Sequence, residues 1–165
     1  MKDKIKKYLK EILTFIVVMS LFANIVSLYK SQSISKQPLP PTPLTLLNDT
    51  QYSFPSDKPI LIHLWASWCP VCKMEAQNIQ RIANHFEVLT IAVKSGSDYT
   101  VESYMKENNL SFKVYNDEAG FLAHSYNIPA YPTTFIYNKK GELIFSEVGY
   151  TTTFGLWIRM LWASF

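Results

Sequence analysis

Residues 60–72, Ile60-Leu61-Ile62-His63-Leu64-Trp65-Ala66-Ser67-Trp68-Cys69-Pro70-Val71-Cys72, decide the reading of this chain. Ile60–Ala66 is an almost unbroken apolar run of strand length, the pattern of a central strand covered on both faces. From Pro70 to His85 the period changes to helical, with Cys72, Ala76, Ile79, Ile82, Ala83 and Phe86 on one stripe. Cys69 therefore falls where a strand gives way to a helix. Unpaired N–H groups and the macrodipole favour a thiolate there. Pro70 suits the first helical turn, where its missing N–H costs nothing. Cys72 follows nearly one turn later, close enough to bond with Cys69 but turned toward the core. The pair predicts redox chemistry: Cys69 attacks a disulfide and Cys72 resolves the mixed disulfide, or the path runs in reverse.

Composition narrows the alternatives. Cys69 and Cys72 are the only two cysteines in 165 residues, so a disulfide-stapled scaffold is excluded. A closed zinc site needs four ligands, and His63, His85 and His124 are the only histidines. No metal site is expected, and His85 and His124 read as surface or packing residues. A module that binds or delivers Cu(I) through the same two thiolates is the alternative from a different class. Pro70-Val71 at a helix start speaks against it. A peroxiredoxin-like peroxidase would need a Thr-x-x-Cys context, which is absent here.

Outward from this segment, the chain alternates strand and helix patterns. Leu44–Leu47 and Gln51–Phe54 flank Asn48-Asp49-Thr50 as a small hairpin. Val88–Val93 reads as a second buried strand, and Thr100–Asn108 and Glu118–Tyr126 as helices. Thr133–Tyr137 and Glu142–Val148 form a hairpin around Asn138-Lys139-Lys140-Gly141, with Gly141 supplying the positive φ. Thr152–Phe165 ends as a helix whose Trp157 and Trp162 fit packing better than binding. This order predicts an α/β fold with a central mixed sheet flanked by helices.

The net charge of +3 is local. Five Lys in residues 1–11, against Asp3 and Glu11, account for all of it, and the remaining chain is balanced. Nucleic acid is therefore not an expected partner. Residues 12–29 form an uncharged apolar stretch of 18 residues, about 27 Å as a helix, which predicts one N-terminal transmembrane anchor. The preceding lysines put residues 1–11 in the cytoplasm and the body outside. A cleaved signal peptide is the competing reading, and it exports the body equally. Residues 30–43 are Pro-rich and predict a semi-rigid linker. The folded domain is expected over 44–165.

The run Leu61–Ile79 resembles the active-site segment of thioredoxin-fold proteins. Asn127-Ile128-Pro129-Ala130-Tyr131-Pro132-Thr133-Thr134-Phe135 is similar to their cis-proline segment. The stretch around 98–119 resembles the insert of membrane-anchored TlpA, ResA and DsbE-type proteins. The Cys-Pro-Val-Cys motif and the ending Gly149-Tyr150-Thr151-Thr152…Arg159-Met160-Leu161-Trp162-Ala163 look closest to protein disulfide oxidoreductases of the ScsD type. The resemblance implies a protein thiol:disulfide oxidoreductase with Cys69 and Cys72 catalytic and no cofactor beyond their disulfide. It implies a single-pass protein of the cytoplasmic (inner) membrane with its domain facing the periplasm or cell exterior. Its partners would be cysteine-containing exported proteins and a membrane electron-transfer protein. It also implies that Pro132 is cis, beside the cysteines, and that the Tyr131 backbone pairs with a bound peptide; Tyr131 otherwise reads as a surface aromatic.

Two departures from the family pattern matter. His63 stands where thioredoxins carry a buried Asp that helps move a proton at the inner thiol. It reads either as a residue able to do so at physiological pH or as a core histidine with one nitrogen satisfied. Ala76-Gln77 replaces the common Met-Pro, which makes the usual kink of this helix doubtful. Glu75, three residues after Cys72, reads as a carboxylate raising thiol pKa values or as a solvated helix residue. Trp68 reads as a cover for the site and an apolar contact for partners, or as a core residue.

Overall fold

The computed structural model describes residues 8, 10–15, 18, 43–55 and 57–165. Most of the expected membrane segment at 12–29 and of the linker at 30–43 lies outside the described residues. Residues 10–15 are helical. No helix among the described residues is long and apolar enough to cross a membrane.

The strands are β1 (Leu44–Thr45), β2 (Gln51–Tyr52), β3 (Ile60–Trp65), β4 (Glu87–Val93), β5 (Lys113–Asp117), β6 (Thr133–Tyr137) and β7 (Leu143–Val148). The helices of the domain are α1 (Pro70–Ala83), α2 (Asp98–Glu107), α3 (Phe121–Ser125) and α4 (Thr153–Ala163). Five strands form one mixed sheet in the order β5-β4-β3-β6-β7, and β1 and β2 pair as a separate hairpin. β3 runs parallel to β4 and antiparallel to β6. All six of its residues are buried, which explains why its sequence lacks polar alternation.

Alternation along β3 divides the core into two layers. Leu61 and Trp65 face Ile79 and Ile82 of α1, Val101 of α2, and Leu156 and Met160 of α4. Ile60, Ile62 and Leu64 face the hairpin residues Leu44 and Tyr52, and Ala123 and Tyr126 at α3. By the same alternation His63 belongs to the layer of α1, which is the layer of the cysteines.

Two expectations require correction. No strand is expected between Asn108 and Glu118, yet Lys113–Asp117 pairs with β4 in register from Leu89↔Lys113 to Val93↔Asp117. This edge strand carries Lys, Asn and Asp and is held by backbone pairing, so it shows no apolar run. The helix expected over 118–126 is only Phe121–Ser125, because Gly120 turns the chain at φ 77° and Asp117 accepts the Ala123 N–H at 2.9 Å. The first hairpin is also shorter than expected, and α1 is one unbroken helix without a proline after its first turn.

α4 closes the α1 layer through Leu156 and Met160, both fully buried. Leu156→Ala should therefore cost about 2–5 kcal/mol of stability, the range for a Leu-sized cavity in a close-packed core. A urea titration showing a loss below about 1 kcal/mol would contradict this packing.

Candidate active site

The site is built where β3 meets α1. Cys69 is the N-cap of α1, with extended backbone at φ −86° and ψ 115°, and its sulfur accepts the backbone N–H of Cys72 at 3.2 Å. The Cys69 N–H donates to Ala66 O at 3.1 Å, closing the turn that leaves the strand. Pro70 occupies the first helical position. Both thiols are free, and both cysteines are buried. Burial pushes the Cys72 thiol well above the ordinary thiol range. The hydrogen bond with Cys69 and the charges of Cys69 and Glu75 add to the rise, and a backbone bond with Ala66 opposes it.

The Tyr131–Pro132 peptide bond is cis. It brings the Tyr131 carbonyl to 3.6 Å from the Cys69 sulfur, where the thiol donates to it. The Tyr131 ring meets Trp68 edge-on at 5.9 Å between centroids. Trp68 is 58% exposed and so forms a rim rather than core. Its indole N–H donates to Lys94 O at 3.0 Å, and the Ser67 N–H donates to the buried Ser95 hydroxyl at 3.0 Å. The loop after β4 thus latches the active-site turn at two points. Lys94 adopts φ 47°, which costs strain for a non-glycine residue and aims its carbonyl at Trp68. Nothing in the spacing of Lys94 and Ser95 singled them out. Val71 is exposed beside the pair.

His63 bonds Thr134 through Nδ1 at 2.9 Å across β3 and β6. Burial lowers its pKa to about 3, so the ring stays neutral around pH 7. Of the two readings of His63, the geometry matches a core histidine with one nitrogen satisfied: water is too far removed for the imidazolium to form near pH 7.

Glu75 is fully buried, not solvated. Oε1 accepts the Thr151 N–H at 3.0 Å, and Oε2 has no hydrogen-bond partner. Burial pushes its pKa up to about 8; the Thr151 bond opposes this, and the charge of Glu147 adds to it. One turn on, Asn78 donates to Tyr150 Oη at 3.0 Å and to Thr151 O at 3.1 Å, and accepts from Thr153 Oγ1 at 2.8 Å. The loop from β7 to α4 is therefore fastened to α1 directly beneath the cysteines. Asn78 was not anticipated, although it shares a helical stripe with Cys72, Glu75 and Ile82. Among the described residues no three His, Cys, Asp or Glu side chains are grouped to hold a metal ion.

A mixed sheet with a cysteine pair capping the helix after its central strand, faced by a cis-proline, defines a thioredoxin-like domain. The chain belongs to the AhpC/TSA family, whose model matches residues 42–146. It is 30% identical to a thioredoxin-like protein of Haemophilus influenzae over 98% of both chains. It is 29% identical to sporulation thiol-disulfide oxidoreductase A of Bacillus subtilis, covering 72% of this chain and 78% of that one. The crystal structure of StoA from Bacillus subtilis superposes with a TM-score of 0.62 at 28% identity, covering 72% of this chain and 96% of that one.

Glu75 makes stability fall with rising pH. Its folded pKa of about 8 lies above the ordinary carboxyl value of 4.5, so the folded state holds a proton that the unfolded state has released. That stability is fully present below 4.5 and is lost as pH rises to about 8. His63, depressed from 6.5 to about 3, acts in the opposite sense, but only below pH 6.5. The window from 6.5 to 8 therefore isolates Glu75. Denaturant titrations there should show wild type losing stability with pH and Glu75→Gln losing distinctly less; parallel slopes would refute the buried carboxyl.

Proposed function

We propose that the chain is a protein thiol:disulfide oxidoreductase working through Cys69 and Cys72. The observation that carries the reading is the Cys69 sulfur itself, which caps α1 and meets the Tyr131 carbonyl across cis-Pro132 at 3.6 Å. The relatives named thiol-disulfide oxidoreductases support it.

In the reducing direction the Cys69 thiolate attacks one sulfur of a substrate disulfide. A Cys69–substrate disulfide forms, and the other substrate sulfur leaves as a thiolate that takes up a proton. Cys72 then loses its proton and attacks Cys69 sulfur, closing the Cys69–Cys72 disulfide and releasing the second substrate thiol. Two electrons pass to the substrate, and the reverse sequence oxidises it. The raised Cys72 pKa keeps this thiol protonated until Cys69 is engaged, so Cys72 does not compete with Cys69 for the substrate disulfide. Glu75, buried on the same helix face, holds its own proton up to about pH 8, so only its carboxylate form, at higher pH, is suited to take the Cys72 proton. His63 stays neutral and holds Thr134 beneath the cis-proline segment. Trp68, Val71 and Tyr131 present an apolar rim to a peptide, with the Tyr131 backbone available for pairing beside Pro132.

We further read residues 1–11 as a cytoplasmic tail, 12–29 as a membrane anchor and 30–43 as a linker. The domain at 44–165 would then face the exterior of the cytoplasmic membrane and act on exported cysteine-containing proteins. An electron-transfer protein of that membrane would reset the pair, with no cofactor beyond the disulfide.

The test is trapping. Cys72→Ser should accumulate mixed disulfides with exported proteins and Cys69→Ser none, while both should lose at least 100-fold in insulin-disulfide reduction. Full insulin reduction by Cys69→Ser, or tight Cu(I) binding by a wild-type protein inert in thiol exchange, would overturn the reading.

A further inference from the structure

α4 is apolar on both sides. Leu156, Met160 and Ala163 are buried against the sheet and α1. Opposite them Phe154 is 74% exposed, Ile158 46%, Leu161 44% and Trp162 69%. At 100° per residue these four occupy a stripe about 100° wide. The packing role expected for Trp162 is thus corrected; Trp157 does pack, edge-on against His85 and Phe86 at 4.8 and 5.1 Å. No ionisable side chain lies within the stripe. Arg159, at its margin, is paired with Glu147 and bonded to Gly155 O at 2.9 Å.

We propose that this stripe seats on the lipid surface of the membrane that holds the chain, with Trp162 and Phe154 at headgroup level. The proposal rests on the reading of residues 12–29 as an anchor. Trp combines an apolar ring with an N–H donor, which favours the boundary between hydrocarbon and water over either phase. A patch of this kind on an otherwise charge-balanced domain needs a partner. The lipid surface is the one partner permanently within reach. Fourteen residues at 30–43, extended, span about 43 Å. A domain of about 120 residues has a radius of gyration near 13–14 Å, so the linker lets any face roll onto the bilayer. α4 starts level with the middle of α1, where Thr151 and Thr153 meet Glu75 and Asn78, and by Trp157 it has reached His85 and Phe86 beyond the end of α1. The stripe therefore extends past the end of α1, away from Cys69, so seating it does not cover the thiols.

The full chain carries tryptophan only at 65, 68, 157 and 162, none of them in the anchor. The full chain is therefore reconstituted at one copy per lipid nanodisc of phosphatidylcholine and phosphatidylglycerol, with and without acyl chains brominated near the headgroup. Bromolipid should quench wild-type emission, and the quenched fraction should fall at least twofold in Trp162→Phe and in Leu161→Glu. Both variants should keep insulin-reducing activity, since neither position belongs to the thiol site. Carbonate extraction of membranes reads the anchor separately. A chain that resists extraction but is not quenched, or whose quenching ignores both substitutions, overturns the seating alone. Burial of Trp162 only in discs holding two copies overturns it in favour of self-association. A chain released by carbonate overturns the anchor and the seating together.

Discussion

The Cys69 sulfur occupies the N-cap of α1, a position where helices ordinarily place a hydroxyl or carboxylate oxygen. It accepts the Cys72 N–H at 3.2 Å and faces the Tyr131 carbonyl at 3.6 Å. Sulfur is a weaker acceptor than oxygen, so the cap is held in place largely from outside the helix. β3 fixes the entry, since it is buried on both faces between two strands running in opposite senses. Ser95 and Lys94 fix the turn between strand and helix. The cis peptide before Pro132 closes the remaining side. Taken together, these contacts orient one sulfur atom with few degrees of freedom left to it.

The polar groups beneath that atom divide by how burial acts on each. His63 is driven neutral and becomes a hydrogen-bonding post for Thr134. Glu75 is driven toward its protonated form, with one oxygen held by Thr151 and the other unpaired. A half-satisfied buried carboxyl is costly, and it persists here on the helix turn after Cys72, the thiol that loses a proton in the proposed exchange. Asn78, with each of its polar atoms engaged, fastens the Tyr150–Thr153 loop.

Much of this was legible in the residues, for identifiable reasons. Ile60–Trp65 announced a central strand because burial on both faces leaves no polar positions. The cysteines announced the helix start because proline follows directly. β5 was not legible: Lys113–Asp117 is stabilised by ladder bonds to β4, which leave no mark in composition. The burial of Glu75 and Asn78 was hidden because their partners, Thr151 and Thr153, lie 76 and 75 residues away. Trp162 was misread because α4 is apolar around most of its circumference, so periodicity could not separate its inner from its outer face.

The central claim is that the two thiols are unequal: Cys69 is the attacking group, and Cys72 is a protonated thiol in reserve. Alkylation of the fully reduced chain at pH 7 with substoichiometric iodoacetamide, read by peptide mass spectrometry, tests this most directly. Modification should fall on Cys69, with Cys72 labelled at least tenfold more slowly. Equal labelling of the two, or labelling of Cys72 first, would contradict the account.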